Sequence, residues 1–283
     1  RALATVPGIV LLFTGTLGLN LSLSDLRIEL ATIRKIVSVG YPASIEQSSG
    51  ALSYSAMTAV IAIVGPTAVA AFGIVNRLTS LVFLPAVGMG MAVETAVGQN
   101  LGADRTRRAR RSVHLALAML VSVYVVVSAL GIYYARPIVG AFIQGEGAGQ
   151  VVDIGAEYML IVGPTFALMG VFHVIKGAFN GAGSTRAAMV FSMVSVWGMQ
   201  VVPAYLLVRY FGMGTTGAWW ALALMHAGSA LLVALWFRYG NWTDNVVEED
   251  EGVDETTAGG AAVSPERTDG ETAVDSEESA TDD

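Results

Sequence analysis

Cysteine is absent from the 283-residue sequence, which excludes disulfide bonds, thiolate metal sites and cysteine nucleophiles. Charged residues are also scarce, at 14% of the chain, whereas soluble domains carry about 25%. The three histidines, His114, His173 and His226, lie too far apart for a metal-ligand motif, so we predict no metal site. Because 54% of the residues are hydrophobic, the composition excludes an ordinary water-soluble domain and indicates a membrane protein.

The acidic residues are concentrated at the carboxy-terminal end of the sequence. Residues 244–283 contain fifteen acidic residues and one basic residue, Arg267, which gives this segment a net charge of −14. Subtracting it from the total of −7 leaves +7 on residues 1–243, a cationic body suited to anionic lipid headgroups. The acidic segment has almost no large apolar side chain and cannot bury enough surface to fold. We therefore predict a disordered tail over 241–283.

Long apolar windows recur before this tail. A helix needs about 20 predominantly apolar residues to cross the hydrocarbon core of a bilayer. Six windows reach that length, at 36–64, 67–97, 112–134, 151–179, 187–208 and 217–237. Residues 1–19 are interpreted as the end of a truncated preceding helix, and 20–35 as a cytoplasmic loop with a short interfacial helix. The predicted fold is all-α, with a six-helix transmembrane lobe over 36–240.

Basic residues collect in alternate connections between the predicted spans. Five arginines lie in 105–111, between the second and third spans, and Lys176 and Arg186 flank the turn after the fourth. Because positively charged loops face the cytoplasm, the pattern predicts a multi-pass plasma-membrane protein with a cytoplasmic tail. The arginine run between two apolar spans is interpreted as a contact for lipid headgroups, and we predict no nucleic-acid binding.

Three motifs flank the predicted spans. They read Gly-Tyr-Pro-Ala-Ser-Ile-Glu-Gln at 40–47, Gly-Gln-Asn-Leu-Gly-Ala at 98–103 and Gly-Ala-Gly-Ser-Thr-Arg at 181–186. In this order, they resemble the second half of the multidrug and toxic compound extrusion (MATE) family of cation-coupled antiporters. The resemblance covers roughly residues 6–237 and implies one lobe of a twelve-helix transporter, whose amino-terminal lobe would be missing.

The resemblance also implies a function. A transporter of this family exchanges small amphipathic organic cations for protons or sodium by alternating access, and it needs no cofactor. One branch of the family has an acidic residue further along the first helix of this lobe and an aspartate on the fourth. Here Asp153 and Glu157 lie only near the outer end of the fourth span, which leaves open whether the ion site lies in this lobe or in the first.

Glu46 is the first candidate for ion or substrate binding. It lies about ten residues into a predicted span that enters from the cytoplasm, on the order of 15 Å deep. A carboxylate at that depth indicates a functional site, because intramembrane charge is costly, and it can exchange a proton or hold a cation. Alternatively, Glu46 pairs with Arg77, predicted at a similar depth, to hold two helices together. Gln47, Tyr54 and Arg77 complete the predicted binding site.

Four polar residues near the predicted cytoplasmic helix ends are candidates for gating or loop roles. They are Glu94, Gln99, Asn100 and Asn180. Glu94 precedes the arginines of 105–111 and is expected to meet them. Prolines at 42, 85, 164 and 203 fall inside predicted spans, where they are expected to bend or break the helices.

The sequence leaves two further functions open. A lipid-linked oligosaccharide flippase would share the helix plan but favour a cavity rich in positive charge, and Arg77 is the one basic residue counted deep in a span. A non-transporting membrane scaffold would present its acidic tail to partners. An enzyme is not predicted, because no nucleophile, base and orienting group stand together at catalytic spacing.

Overall fold

A computed structural model describes residues 30–143, 145 and 147–240, and these residues are helical, with turns between the helices and no strand among them. The α-helices are α1 (Leu30–Ala62), α2 (Pro66–Leu101), α3 (Thr106–Tyr133), α4 (Ala135–Gly140), α5 (Ala148–Val162), α6 (Phe166–Gly181), α7 (Thr185–Met193), α8 (Val202–Arg209) and α9 (Gly214–Tyr239). A 3₁₀ turn, Gly163–Thr165, joins α5 to α6, and a π-helical segment, Val194–Val201, joins α7 to α8.

Five continuous helical segments are long and apolar enough to cross a membrane. They are Pro66–Leu101, Thr106–Tyr133, Ala148–Gly181, Thr185–Arg209 and Gly214–Tyr239. These segments match the second to sixth predicted spans and confirm the all-α transmembrane fold. The first predicted span is also one helix, α1, of 33 residues. It is long enough to cross, but Glu46, Gln47, Ser48 and Ser49 at its centre interrupt its apolar sequence, and it is not among these five segments.

The predicted segments at the two ends of the chain are only partly described. Residues 1–29 and 241–283 lie outside the described residues, and with them the predicted truncated helix and the predicted acidic tail. From Leu30 onward, the predicted loop is helical and continues through Ile36 into the first span without a break.

Two prolines mark the irregular segments of the lobe. Pro164 lies in the 3₁₀ turn between α5 and α6, and Pro203 is the second residue of α8, directly after the π-helical segment. Proline has no backbone N–H and cannot bond to the carbonyl four residues earlier, so the regular α-helical pattern fails there. Pro42 and Pro85, in contrast, lie inside continuous helices. The expected breaks are thus present at two of the four prolines.

Helices α2 and α6 are in backbone contact at the centre of the lobe. A Cβ atom on Gly177 would lie 2.1 Å from the carbonyl oxygen of Gly90, and one on Gly181 would lie 2.3 Å from that of Glu94. Glycines one turn apart remove the side chains that would separate two membrane helices. This close approach fixes α6 against α2 and therefore fixes the position of Lys176, the residue before Gly177.

The lobe buries aromatic side chains inside and exposes aliphatic side chains on α3. Trp219 of α9 is fully buried, and its ring centroid lies 5.1 Å from that of Tyr158 and 6.2 Å from that of Phe72. The exposed side of α3 carries Leu115, Met119, Val123, Val126 and Leu130. An apolar exposed face of this kind is suited to lipid and not to water.

Candidate functional site

An ion pair between α1 and α6 involves the predicted carboxylate. The Lys176 ammonium donates a hydrogen bond to Oε1 of Glu46, and the Ser192 hydroxyl of α7 donates to the same oxygen at 2.9 Å. The side chains of Lys176 and Glu46 are 18% and 20% exposed. Three helices therefore meet at one carboxylate that is largely, but not completely, enclosed.

Neighbouring contacts hold the two charged side chains in place. Ser49 lies three residues after Glu46 on α1, and its hydroxyl accepts a 2.7 Å hydrogen bond from the indole N–H of Trp197 in the π-helical segment. The Lys176 ammonium lies 5.9 Å from the centroid of the Phe172 ring, within range of a cation–π contact. The Glu46 site is thus tied to the irregular segment between α7 and α8.

The chemistry of the Glu46 site follows from its charge balance. The Lys176 ammonium compensates the Glu46 carboxylate, so the pair as a whole is neutral. A cation or a proton that binds to Glu46 must compete with this ammonium, because one carboxylate cannot fully compensate two positive charges. Protonation of Glu46 would likewise free the ammonium to bind an anionic group.

The ion pair at Glu46 differs from the pairing considered from the sequence. Arg77 is exposed on α2 and has no ion-pair partner within the ranges that the structure describes, whereas Glu46 pairs with Lys176. Neighbours of Arg77 on the same face of α2, Gly73 and Ser80, are exposed as well. Arg77 and Glu46 were predicted at a similar depth in the membrane, but they do not pair, because Arg77 points out of the lobe.

The other predicted binding residues lie near the Glu46 site on α1 without joining it. Gln47 follows Glu46 and is exposed. Tyr54 is 46% exposed and stacks on Phe72, with the ring centroids 5.8 Å apart. The structure therefore places the predicted residues on the first two helices, with Glu46 turned inward and Gln47, Tyr54 and Arg77 accessible at the surface.

Two of the four predicted gating residues come together. The Asn180 side-chain amide lies 3.5 Å from Oε2 of Glu94, at the outer limit of a hydrogen bond. The partner of Glu94 is thus Asn180, whereas the sequence predicted an arginine of 105–111. Asn100 instead donates to the backbone carbonyl of Ala96 at 2.6 Å, and Gln99 is exposed.

Sequence reasoning missed the role of Lys176. It lies inside the predicted span 151–179, but it was counted with the charges that flank the following turn. A lysine inside a membrane span is itself a signal of a site, and that signal was available. Ser192 gave no such signal, because a single serine is common in membrane helices.

Comparison with known proteins identifies related transporters. The MatE family model matches residues 42–206. A protein named probable multidrug resistance protein NorM, from Thermotoga maritima, is 26% identical over 225 residues, covering 78% of this chain and 47% of that protein. A NorM of the same description from Bradyrhizobium diazoefficiens is 29% identical over 219 residues, covering 75% of this chain and 46% of that one. The chain spans about half the length of the curated relatives it matches.

Solved transporter structures share the fold. A MOP superfamily transporter from Pyrococcus furiosus Vc1 superposes with a TM-score of 0.74 at 21% sequence identity, over 81% of this chain and 50% of that one. That transporter is described as having a binding pocket of reverse polarity, which suggests a different function. The crystal structure of MATE in complex with MaL6 gives a TM-score of 0.72 at 22% identity, over 78% and 49%. At these identities the likeness shows the fold, and the family model carries the assignment. The chain belongs to the MatE family of multidrug and toxic compound extrusion transporters.

Proposed function

We propose that the chain forms the carboxy-terminal half of a cation-coupled antiporter that exports organic cations by alternating access. The observation that carries the proposal is the Glu46 carboxylate, which lies among membrane helices and meets Lys176 and Ser192 there. Ionisable side chains within membrane spans are costly and commonly mark ion or substrate pathways. The relatives described as multidrug resistance proteins support an efflux role.

The ion pair suggests how coupling would work. A proton or a sodium ion that binds to Glu46 displaces the Lys176 ammonium, and its release lets the ammonium return. The carboxylate is thus compensated in both states, whereas the displaced ammonium has to turn to solvent or to an anionic group. The remaining exposure of both side chains, about one fifth, supports access for an exchanging cation.

Under this proposal, the exposed polar residues of α1 and α2 face the other lobe. Gln47, Tyr54 and Arg77 are exposed on α1 and α2, where an arginine facing lipid would be costly. We propose that they contact the substrate or the amino-terminal lobe. Glu94 and Asn180 would form a gate contact between α2 and α6. Under this proposal the protein lies in the plasma membrane with its acidic tail in the cytoplasm.

The test is efflux of a fluorescent organic cation from cells that carry the full-length protein, under imposed proton and sodium gradients. Glu46→Gln should abolish the response to the coupling gradient, because the amide cannot ionise. Glu157→Gln is the matched control, since Glu157 accepts a 2.6 Å hydrogen bond from Thr216 that an amide oxygen can also accept. Unchanged gradient-driven efflux by Glu46→Gln, at normal protein levels, would place the coupling chemistry elsewhere.

Lys176 also favours a second candidate, a flippase for lipid-linked oligosaccharides. Arg77 is the one basic residue predicted deep in a span from the sequence, and the structure adds the Lys176 ammonium at the carboxylate site. An anionic headgroup would bind this ammonium once Glu46 is protonated. Translocation of a fluorescent lipid-linked oligosaccharide in proteoliposomes separates the two functions. The flippase would be favoured if the native protein translocates the oligosaccharide lipid but exports no cation, and if Lys176→Met abolishes that translocation.

A further inference from the structure

Two helix ends that carry exposed arginines meet at one edge of the lobe. Helix α3 begins there at Thr106, and α9 ends there at Tyr239. Both helices pack against α6, and their own backbones approach each other at few points. The His114 ring of α3 meets the Phe237 ring of α9, with the centroids 6.0 Å apart. A groove therefore lies between α3 and α9 over α6, and this ring contact spans it.

The arginines of α3 differ in the side of the helix that they occupy. At about 100° per residue, Arg107, Arg110 and Arg111 lie within about 60° of His114, whereas Arg105 lies on the opposite side. The Nδ1–H of His114 donates a 2.7 Å hydrogen bond to the backbone carbonyl oxygen of Arg110, which orients the ring on this side. Three of the five arginines of 105–111 therefore share the side of α3 that meets α9.

Arg238 adds a guanidinium to the same groove from α9. Trp236 packs on Phe191 of α7, with the ring centroids 5.9 Å apart, so α7 lies on that side of α9. Arg238 follows two residues later, about 200° further round the helix. It is therefore on the flank of α9 that faces away from α7, next to Phe237, whose ring contacts α3.

These positive charges are not compensated by carboxylates. Arg107, Arg111 and Arg238 are exposed, and none of them forms an ion pair with another residue in the described part of the chain. The connection before α3 contains one carboxylate, Asp104, which adjoins Arg105 in the sequence. The end of the groove thus presents three guanidinium groups that are free to bind an anion, at the edge of the lobe where two membrane spans end.

Further along the groove the two helix flanks are apolar. One and two turns into the span, the arginine side of α3 carries Ala118 and Val121. At the same spacing before Arg238, the flank of α9 carries Ala234 and Leu231. Ala118 and Leu231 are exposed, and Val121 and Ala234 are half-buried. An apolar groove beneath a cationic rim matches an amphiphile with an anionic headgroup.

We propose that the groove between α3 and α9 binds one anionic glycerophospholipid, with its phosphate at Arg107, Arg111 and Arg238 and an acyl chain along the two alanines. Guanidinium groups suit this headgroup because their paired N–H donors match two phosphate oxygens. A general attraction to anionic lipid would involve every basic residue of α3 alike. This site instead uses one side of α3 together with α9. It goes beyond the proposed transport, because it requires neither the Glu46 ion pair nor a gradient.

The test is native mass spectrometry of the purified full-length protein, titrated with phosphatidylglycerol or with phosphatidylcholine of the same acyl chains. The tightest phosphatidylglycerol site should bind about tenfold more strongly than phosphatidylcholine does. Arg111→Gln and Arg238→Gln should each weaken this binding about fivefold. Arg105→Gln is the matched control, because it removes the same charge from the opposite side of α3. It should change the dissociation constant by less than about twofold.

A second pair of variants tests the apolar part of the groove without changing any charge. Ala118→Trp places an indole between the two helices and should weaken phosphatidylglycerol binding about fivefold, since it occupies the space of the acyl chain. Met119→Trp is its control, because Met119 is 62% exposed and lies on the side of α3 away from α9. It should leave binding unchanged. Both positions are exposed, so both variants should fold.

Three outcomes would overturn the proposal. Equal binding of the two lipids would exclude an anion-selective site. Equal losses for Arg105→Gln and Arg111→Gln, or normal binding by Arg238→Gln, would show a general surface attraction and no site shared by α3 and α9. Competition by inorganic phosphate, together with normal phosphatidylglycerol binding by Ala118→Trp, would indicate a site for a soluble anion. Selective binding that depends on Arg111, Arg238 and Ala118, but not on Arg105, would support the lipid site.

Discussion

Lys176 and Glu46 form an ion pair that joins α6 to α1, and Ser192 from α7 donates to the same carboxylate oxygen at 2.9 Å. Helix α6 is itself fixed by backbone contact with α2 at Gly90 and Gly177. The lysine is therefore held by a rigid pair of helices. Together with the Ser49–Trp197 hydrogen bond, its contact with Glu46 is one of the polar links that hold α1 to the lobe.

The first prediction concerns the stability of this ion pair. Lys176→Met leaves the Glu46 carboxylate without its cation in a largely enclosed site. It should lower the free energy of unfolding by about 1–3 kcal/mol, between the values for exposed and buried pairs. The double variant Lys176→Met/Glu46→Gln should recover most of the loss, because no uncompensated charge remains. Unfolding in mixed micelles, measured for both single variants and the double variant, gives the coupling energy.

Strictly additive losses in the three variants would contradict this prediction. They would mean that the two side chains do not stabilise each other, despite their contact. Arg136→Met serves as a comparison, because Arg136 forms a 2.5 Å ion pair with Asp153 and the two side chains are 69% and 58% exposed. An exposed pair contributes little, so that variant should change stability by less than about 1 kcal/mol.

Hydropathy was sufficient to locate the helices but not the partners of their polar residues. The window 67–97 lies within α2, which begins at Pro66 and ends at Leu101. Depth along a helix was also estimated from the sequence, and it suggested Arg77 as the partner of Glu46. The direction in which a side chain points around its helix decides the contact, and it depends on packing between helices far apart in the sequence. Lys176 is 130 residues from Glu46.

The second prediction concerns the contact between α2 and α6. A Cβ on Gly177 would lie 2.1 Å from the Gly90 carbonyl oxygen, so Gly177→Ala must push the two backbones apart. We expect a loss of about 1–3 kcal/mol in the free energy of unfolding, as for other overpacked sites. Gly88→Ala is the control, because a Cβ at Gly88 on α2 meets nothing within 4 Å. Thermal unfolding should show destabilisation for Gly177→Ala only.

Equal unfolding temperatures for the two glycine variants would contradict this packing. In the control, alanine replaces glycine inside a helix, which by itself favours the helix by about 0.5–1 kcal/mol. Gly88→Ala should therefore be neutral or slightly stabilising. A loss of stability in both variants would mean that the exposed face of α2 is packed in the full-length protein.

The third prediction concerns Arg77, which the structure leaves without an ion-pair partner in the described ranges. Arg77→Leu should leave the lobe's free energy of unfolding within about 0.5 kcal/mol, as for other surface substitutions. Cation efflux should fall about tenfold or more if Arg77 contacts the substrate or the other lobe, as we propose. Arg209→Leu is the control, since Arg209 is an exposed arginine in the last turn of α8. Normal efflux by Arg77→Leu would remove Arg77 from the proposed site.

The buried contacts of His226 and Tyr158 illustrate a second limit of sequence reasoning. The sequence predicts only that His226 belongs to no metal site, because three scattered histidines show no ligand spacing. Its hydrogen bond to Thr165 joins residues 61 positions apart, and that of Tyr158 to Thr79 joins residues 79 apart. Which hydroxyl donates to which acceptor can be deduced only once these pairs are known. These hydrogen bonds thus depend on tertiary contacts and not on a motif.

The last prediction concerns the gate contact between Glu94 and Asn180. Asn180→Asp would place a second carboxylate about where the amide now lies, 3.5 Å from Oε2 of Glu94. Like charges at this distance repel, so the variant should destabilise the contact by about 1 kcal/mol. Adding Glu94→Gln should remove the repulsion and restore stability.

Because the sequence has no cysteine, one introduced cysteine can report on the gate contact. A single cysteine at exposed Thr95, next to Glu94 on α2, reports the accessibility of this end of the helix through its alkylation rate. If Glu94 and Asn180 form a gate, Asn180→Asp should raise the rate, and the added Glu94→Gln should lower it again. Asn180→Leu removes the hydrogen bond without adding charge and should have the smaller effect. Equal alkylation rates in all of these variants would show that the contact does not control this end of α2.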